Sequence, residues 1–93
     1  MMDEQIAVSL ERIQNCIQEI NKSEFTTSEV IKKYLGRFCS DIGTPAAYSF
    51  NAQFGALLKR NELRLGITEI ASNESIKDDH GHRTSTSRWR LTT

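Results

Sequence analysis

The feature that most limits the fold is a change of period near Gly66. Up to Arg60, apolar residues recur every three or four positions, the spacing of amphipathic helices. Beyond Gly66, "ITEIAS" and "TSTSRWRLT" are rich in β-branched residues and read as strands. A chain that is helical first and extended last is expected to be α+β, with three helices followed by a C-terminal hairpin. Ninety-three residues supply one modest core, so a single domain over 1–93 is expected.

Ile6, Leu10, Ile13, Ile17 and Ile20 form one stripe and predict a helix over about 3–21. Asp3 and Glu4 then sit in its first turn, where carboxylates complement the helix dipole, and "NKS" ends it. The same spacing fits a coiled-coil seam and hence a homodimer through helix one, but a domain this short needs the stripe for its own core.

"EFTTSEVIKKYLGRFCS" carries the clearest start signal. Thr26 and Glu29 form a capping box, Phe25 and Val30 a hydrophobic staple, and a helix over about 27–39 follows. Val30, Ile31, Tyr34, Leu35 and Phe38 are its expected buried face, while Lys32, Lys33 and Arg37 face solvent and Glu29 pairs with Lys33. Gly36 costs about 1 kcal/mol of helix propensity relative to alanine, which a close helix crossing would explain. Cys16 and Cys39 fall in these helices and read as small buried apolar groups, with a disulfide as the alternative.

In "SDIGTP", Gly43 accepts positive φ, Thr44 caps and Pro45 suits a first helical position, predicting a third helix over about 45–60. Phe50, Phe54, Leu57 and Leu58 form its apolar face. Tyr48, Ser49, Ala52, Gly55, Ala56 and Lys59 lie opposite, with Asn51 and Gln53 on the flanks. A small, uncharged outer face suits close approach to another macromolecule.

The hairpin is expected over about 66–92, with His80 and Gly81 central in a two-residue type I′ turn. Asp79 then opposes His82, Ile76 opposes Ser85, Ser72 opposes Trp89 and Ile70 opposes Leu91. The distal half is polar apart from Ile76, as befits an arm that leaves the core. Trp89 reads as a lid on the core rather than a stacking platform, because Arg88 and Arg90 take the other face. "DDHGH" offers Asp78, Asp79, His80 and His82 as metal ligands, but a tight turn fans them apart. Asp79, His82 and Ser85 or Ser87 make a catalytic triple only on paper, since a two-stranded arm has no pocket. No enzyme activity and no cofactor are expected.

The order of a helix, a short extended "FTT", two helices and a hairpin resembles winged-helix domains. "FTTSEVIKKYLG" is similar to the start of that fold's second helix, and "AQFGALLKRNELRLGI" to its recognition helix running into the first wing strand. The resemblance implies binding to double-stranded DNA, with helix three in the major groove and the hairpin as wing, and the chain's small size suits a regulator of bacterial or mobile-element character. Thr44, Tyr48, Ser49, Asn51 and Gln53 are the residues suited to bases or phosphates, and Lys59, Arg60, Lys77, His82, Arg83 and Arg88 to phosphates. A dimer is expected, because one small module buries little surface on DNA.

Net charge is zero, minus three over residues 1–24 and plus two over 56–93, which permits a nucleic-acid face without demanding one. Neutrality fits equally a protein-docking module of the same fold. The acidic "MMDEQ" start and short apolar runs predict a cytoplasmic chain without membrane span or secretory signal.

Overall fold

Each longer helix begins where a hydroxyl can reach its unpaired N–H groups. In the computed structural model, which describes residues 7–40, 44 and 49–92, the Ser9 Oγ accepts from the Arg12 N–H at 3.2 Å and starts α1 (Leu10–Ile20). The helix therefore holds Glu11 in its first turn; Asp3, Glu4 and Ile6 lie outside the described residues. Asn21 ends it in a left-handed conformation, φ 56°. After β1 (Glu24–Thr26), the expected capping box opens α2 (Thr27–Leu35): the Thr26 Oγ1 accepts from the Glu29 N–H at 3.2 Å, and the Glu29 Oε1 from the Thr26 N–H at 2.8 Å.

Helix α2 stops at Leu35, short of the expected 39. Gly36 is its C-cap, with φ +86° and its N–H on the Lys32 carbonyl at 2.7 Å. No helix crosses there, since nothing lies within 4 Å of where a Cβ would be. Leu35 is consequently 49% exposed, and Phe38 reaches the core from the connection instead. Glu29, held at the cap, pairs with Lys22, and Lys33 pairs with Glu19 at 3.7 Å, so the expected Glu29–Lys33 pair is replaced.

Helix α3 (Phe50–Arg60) starts later than expected because Ser49 is its cap, accepting from the Ala52 N–H at 3.1 Å. Thr44 lies in an exposed bend, and Gly43, Pro45 and Tyr48 fall outside the described residues. One further turn, α4 (Glu62–Leu65), ends at Gly66 and leads into β2 (Ile67–Lys77) and β3 (Arg83–Leu91). The described residues thus form a small α+β fold of four helices and a three-stranded antiparallel sheet in the order β1-β3-β2.

The hairpin register differs from expectation by one residue at the tip. The Asp78 N–H donates to the His82 carbonyl at 2.9 Å, and the Gly81 N–H, at φ +84°, to the Asp78 carbonyl at 3.0 Å. The loop is therefore Asp79-His80-Gly81, a turn closed by a glycine bulge rather than a two-residue turn. Ile76 faces Thr84, Lys77 faces Arg83, and Asp79 and His82 are not a pair. Irregularities in β2 between Glu69 and Glu74, with Asn73 at φ 58°, slide the base further, so Trp89 faces Glu69 and Leu91 faces Ile67. Ile70 falls in the irregularity and is 36% exposed.

The core joins Ile13 and Ile17 of α1, Phe25 of β1, Val30 and Ile31 of α2, Phe54 and Leu58 of α3, and Trp89 of β3. Each such side chain contributes about 1.5–3 kcal/mol on burial, against about 0–1 kcal/mol for an exposed ion pair; packing rather than charge holds the elements together. Of the α1 stripe, Ile13 and Ile17 are buried in this core, and Leu10 and Ile20 pack against it half-buried. Cys16 and Cys39 are free thiols; burial, helped by Glu19, pushes the Cys16 thiol above its ordinary pKa.

Candidate functional site

A cleft of about 420 Å³ separates α3 from the hairpin. One wall is the small face of α3, with Ala52, Gly55, Ala56 and Lys59; the other is the hydroxyl run Thr84, Ser85, Thr86 and Ser87 of β3. Its floor is the start of α2, Thr27, Ser28 and Ile31, and Phe38 closes the end nearer the hairpin tip. The short side chains of α3 therefore face the hairpin across a gap, which explains why that helix lacks a charged outer face. Nothing in helical periodicity reveals this, because the opposite wall comes from a strand some thirty residues later.

Two side-chain bonds fix the depth of the cleft. The Trp89 Nε1 donates to the Thr27 Oγ1 at 2.8 Å, and the Ser28 N–H donates to the Thr86 Oγ1 at 3.1 Å, joining β3 to the first turn of α2. Trp89 is 1% exposed, so the expected lid is what the structure contains.

The hairpin does not leave the body as a free arm. Its tip is docked on the connection after α2: the Asp79 N–H donates to the Phe38 carbonyl at 2.9 Å, the Asp79 Oδ2 accepts from the Phe38 N–H at 2.9 Å, and Lys32 reaches the Asp79 Oδ1 at 3.1 Å. The Asp78 carboxylate accepts three backbone N–H groups, from Ser40 at 2.6 Å, His82 at 2.8 Å and His80 at 2.9 Å. Burial alone would push its pKa up; the three donors and the nearby His82 outweigh it and hold the carboxyl below the usual aspartate range. The Phe38 N–H and Lys32 hold the Asp79 carboxyl below that range as well. A carboxylate so filled is a structural clasp, not a vacant metal ligand. The signal in the sequence was the doubled aspartate itself, which local turn chemistry explained too readily.

The candidate contact residues fall into three groups. Ser49 is buried at its cap, Asn51 donates through Nδ2 to the Cys39 carbonyl at 2.9 Å, and Gln53 is half-buried, so these polar groups are turned inward or engaged. Lys59, Arg88 and His82 face carboxylates: Lys59 lies 3.3 Å from Glu69 and 3.5 Å from Glu62, Arg88 grips Glu74 through two bonds of 2.7 and 2.9 Å, and the His82 Nδ1 lies 3.5 Å from Asp78. The hydrogen bond to Glu69 raises the Lys59 pKa, and that from Arg88 lowers the Glu74 pKa. Arg88 also sits on the face of the sheet opposite to Trp89, away from the cleft. Thr44, Arg60, Lys77 and Arg83 are exposed. Among the described residues, Arg60 and Lys77 make no ion pair and Arg83 meets only the Ser75 hydroxyl, at 3.3 Å.

Compared with known proteins, the chain matches no family model, no curated protein and no solved structure. No helix among the described residues is long and apolar enough to cross a membrane.

Proposed function

We propose that this domain is a winged-helix module that binds double-stranded DNA, with α3 and the hairpin as the contact surface. The element order and the sheet order β1-β3-β2, which set the hairpin beside α3, support the fold reading. The observation that carries the DNA reading is the cross-strand pair Lys77–Arg83 at the hairpin end, two exposed cations without a carboxylate partner among the described residues, with Arg60 on α3 in the same condition. Ala52 and Ala56 let a duplex approach α3 closely, while the inward placement of Ser49 and Asn51 leaves few side chains for base edges. Phosphate contacts therefore dominate, and sequence preference is weak.

A second reading, a protein-docking module of the same fold, is favoured by the charge of the cleft: its charged lining residues, Lys59 and Glu69, neutralise one another. Titration of a mixed-sequence duplex at low and then rising ionic strength separates the two. DNA binding loses affinity linearly on logarithmic axes, and Arg83→Ala lowers the slope by about 0.9, the share of one phosphate contact. Arg88→Ala leaves the slope unchanged. Failure to bind at low salt overturns the DNA reading.

A further inference from the structure

The sheet has an unfinished edge inside the cleft. Strand β1 covers β3 only from Arg88 to Arg90, then turns into α2 at Thr27. Backbone groups along a strand point alternately to its two neighbours. The Leu91 N–H donates to the Ser23 carbonyl at 2.9 Å, so the odd-numbered residues of β3 face the β1 side. The register irregularities lie in β2, so this alternation runs unbroken down β3. Thr84 and Thr86 then serve the β2 ladder, while Arg83, Ser85 and Ser87 aim their N–H and C=O groups toward the line of β1. The Thr26–Arg88 pairing carries the β1 ladder as far as the Ser87 carbonyl, which the Thr86 hydroxyl also reaches at 3.4 Å, and β1 pairs with no residue of β3 before Arg88, so the vacated line begins past that carbonyl, at Ser85 and Arg83.

We infer that this edge accepts an extended peptide segment of a partner protein, which continues the line of β1 and lies in the cleft between β3 and α3. An unpaired edge is a template for strand addition, in which main-chain bonds supply affinity and flanking pockets supply selectivity. The cleft has the length of a short strand. It runs from Thr27 and Ser28, where β1 ends, to Phe38, whose backbone is bonded to Asp79, and is lined on β3 by residues 84–87. Such a stretch of β3 is about 13 Å long and accommodates about four residues of a partner strand. Ala52, Gly55 and Ala56 across the gap leave room for that strand's inward side chains, and even a Cβ on Gly55 would meet nothing closer than the Thr27 side chain at 3.8 Å. Hydroxyls on the sheet side and small groups on the helix side select short side chains, threonine, serine, valine or alanine, at alternate positions. The paired Lys59 and Glu69 offer no net charge to attract a duplex into the cleft. The proposal deepens the protein-docking reading; it shares Ala52 and Ala56 with the DNA reading, whose cations Arg60, Lys77 and Arg83 lie outside this lining.

The test uses the full chain without DNA, so its outcome does not depend on duplex binding. Amide exchange in the free protein should be fast at Ser85 and Ser87 and slow at Thr84 and Thr86; slow exchange at Ser85 overturns the proposal. Acetylated heptapeptides alternating threonine with valine, serine or alanine are then titrated by NMR. Saturable shifts at Ser85, Ser87, Ala52 and Ala56, with new protection of the odd-numbered amides, are expected for at least one of them. N-methylation of alternate peptide amides should abolish the shifts. Ser85→Pro removes only an outward N–H, so it should leave the melting transition near that of the parent and weaken peptide binding about tenfold or more. Shifts elsewhere, or no saturable shift with any peptide at millimolar concentration, sink the proposal. If Ser85→Pro does not fold, the exchange pattern and the N-methyl control decide.

Discussion

The Trp89 indole N–H meets the Thr27 hydroxyl at 2.8 Å, so the last strand is bonded to the first turn of α2 inside the core. Both residues are buried, Trp89 at 1% and Thr27 at 5% exposure, and neither can turn to water if the partner is lost. Thr27→Val keeps the shape and removes the acceptor, leaving a buried donor unsatisfied. It should cost about 1–3 kcal/mol in urea unfolding, while Thr27→Ser should stay close to the parent. Equal stability for both variants would show that the bond contributes nothing.

Two glycines should respond to alanine with opposite sign. Gly36 has open space around it, so Gly36→Ala meets no neighbour, yet its φ of +86° is a left-handed conformation that a Cβ disfavours. That substitution should cost about 1–2 kcal/mol. Gly55 lies in the middle of α3, and a Cβ there makes ordinary contact with the Thr27 methyl at 3.8 Å. Gly55→Ala should gain about 0.5–1 kcal/mol of helix stability, read as a higher urea midpoint. The same variant narrows the cleft and should weaken any peptide bound there.

These particulars show which parts of the fold the sequence discloses. The Thr26–Glu29 box is legible because it needs only residues three apart, and the Trp89 lid because strand alternation sends Arg88 and Arg90 the other way. Helix ends are less so. Gly36 and Ser49 act as caps where Thr44 and a run of helical residues looked equally suitable, and the choice depends on how the connection packs. Register at the hairpin tip is not legible because it is set by the buried Asp78 carboxylate, which collects N–H groups from its own turn and from Ser40, a residue 38 positions away. The cleft is the least legible feature. Its helix wall stood out as a face of small residues, but the wall opposite it, and hence its meaning, required knowing that the tip docks on Phe38.

That docking makes the hairpin sensitive to acid. Asp78 and Asp79 both have folded-state pKa values below the ordinary aspartate value, so the unfolded chain binds more protons than the folded one as pH falls past about 4. Their contribution is therefore fully present above that pH and is lost as pH falls through the lower folded values; stability should rise with pH across this window. The two aspartates should differ on mutation. Asp78 uses both oxygens as acceptors of backbone N–H groups, two on Oδ1 and one on Oδ2, so in Asp78→Asn the amide NH₂ must oppose at least one donor. Asp79→Asn retains an oxygen for the Phe38 N–H and loses chiefly the exposed ion pair with Lys32. Amide exchange at Ser40, His80 and His82 should accelerate strongly in Asp78→Asn at neutral pH and little in Asp79→Asn. Urea unfolding followed from about pH 3 to 6, where aspartates titrate, should show a shallower acid slope for Asp78→Asn than for the parent. An unchanged slope would mean that the clasp at the hairpin tip is not coupled to folding.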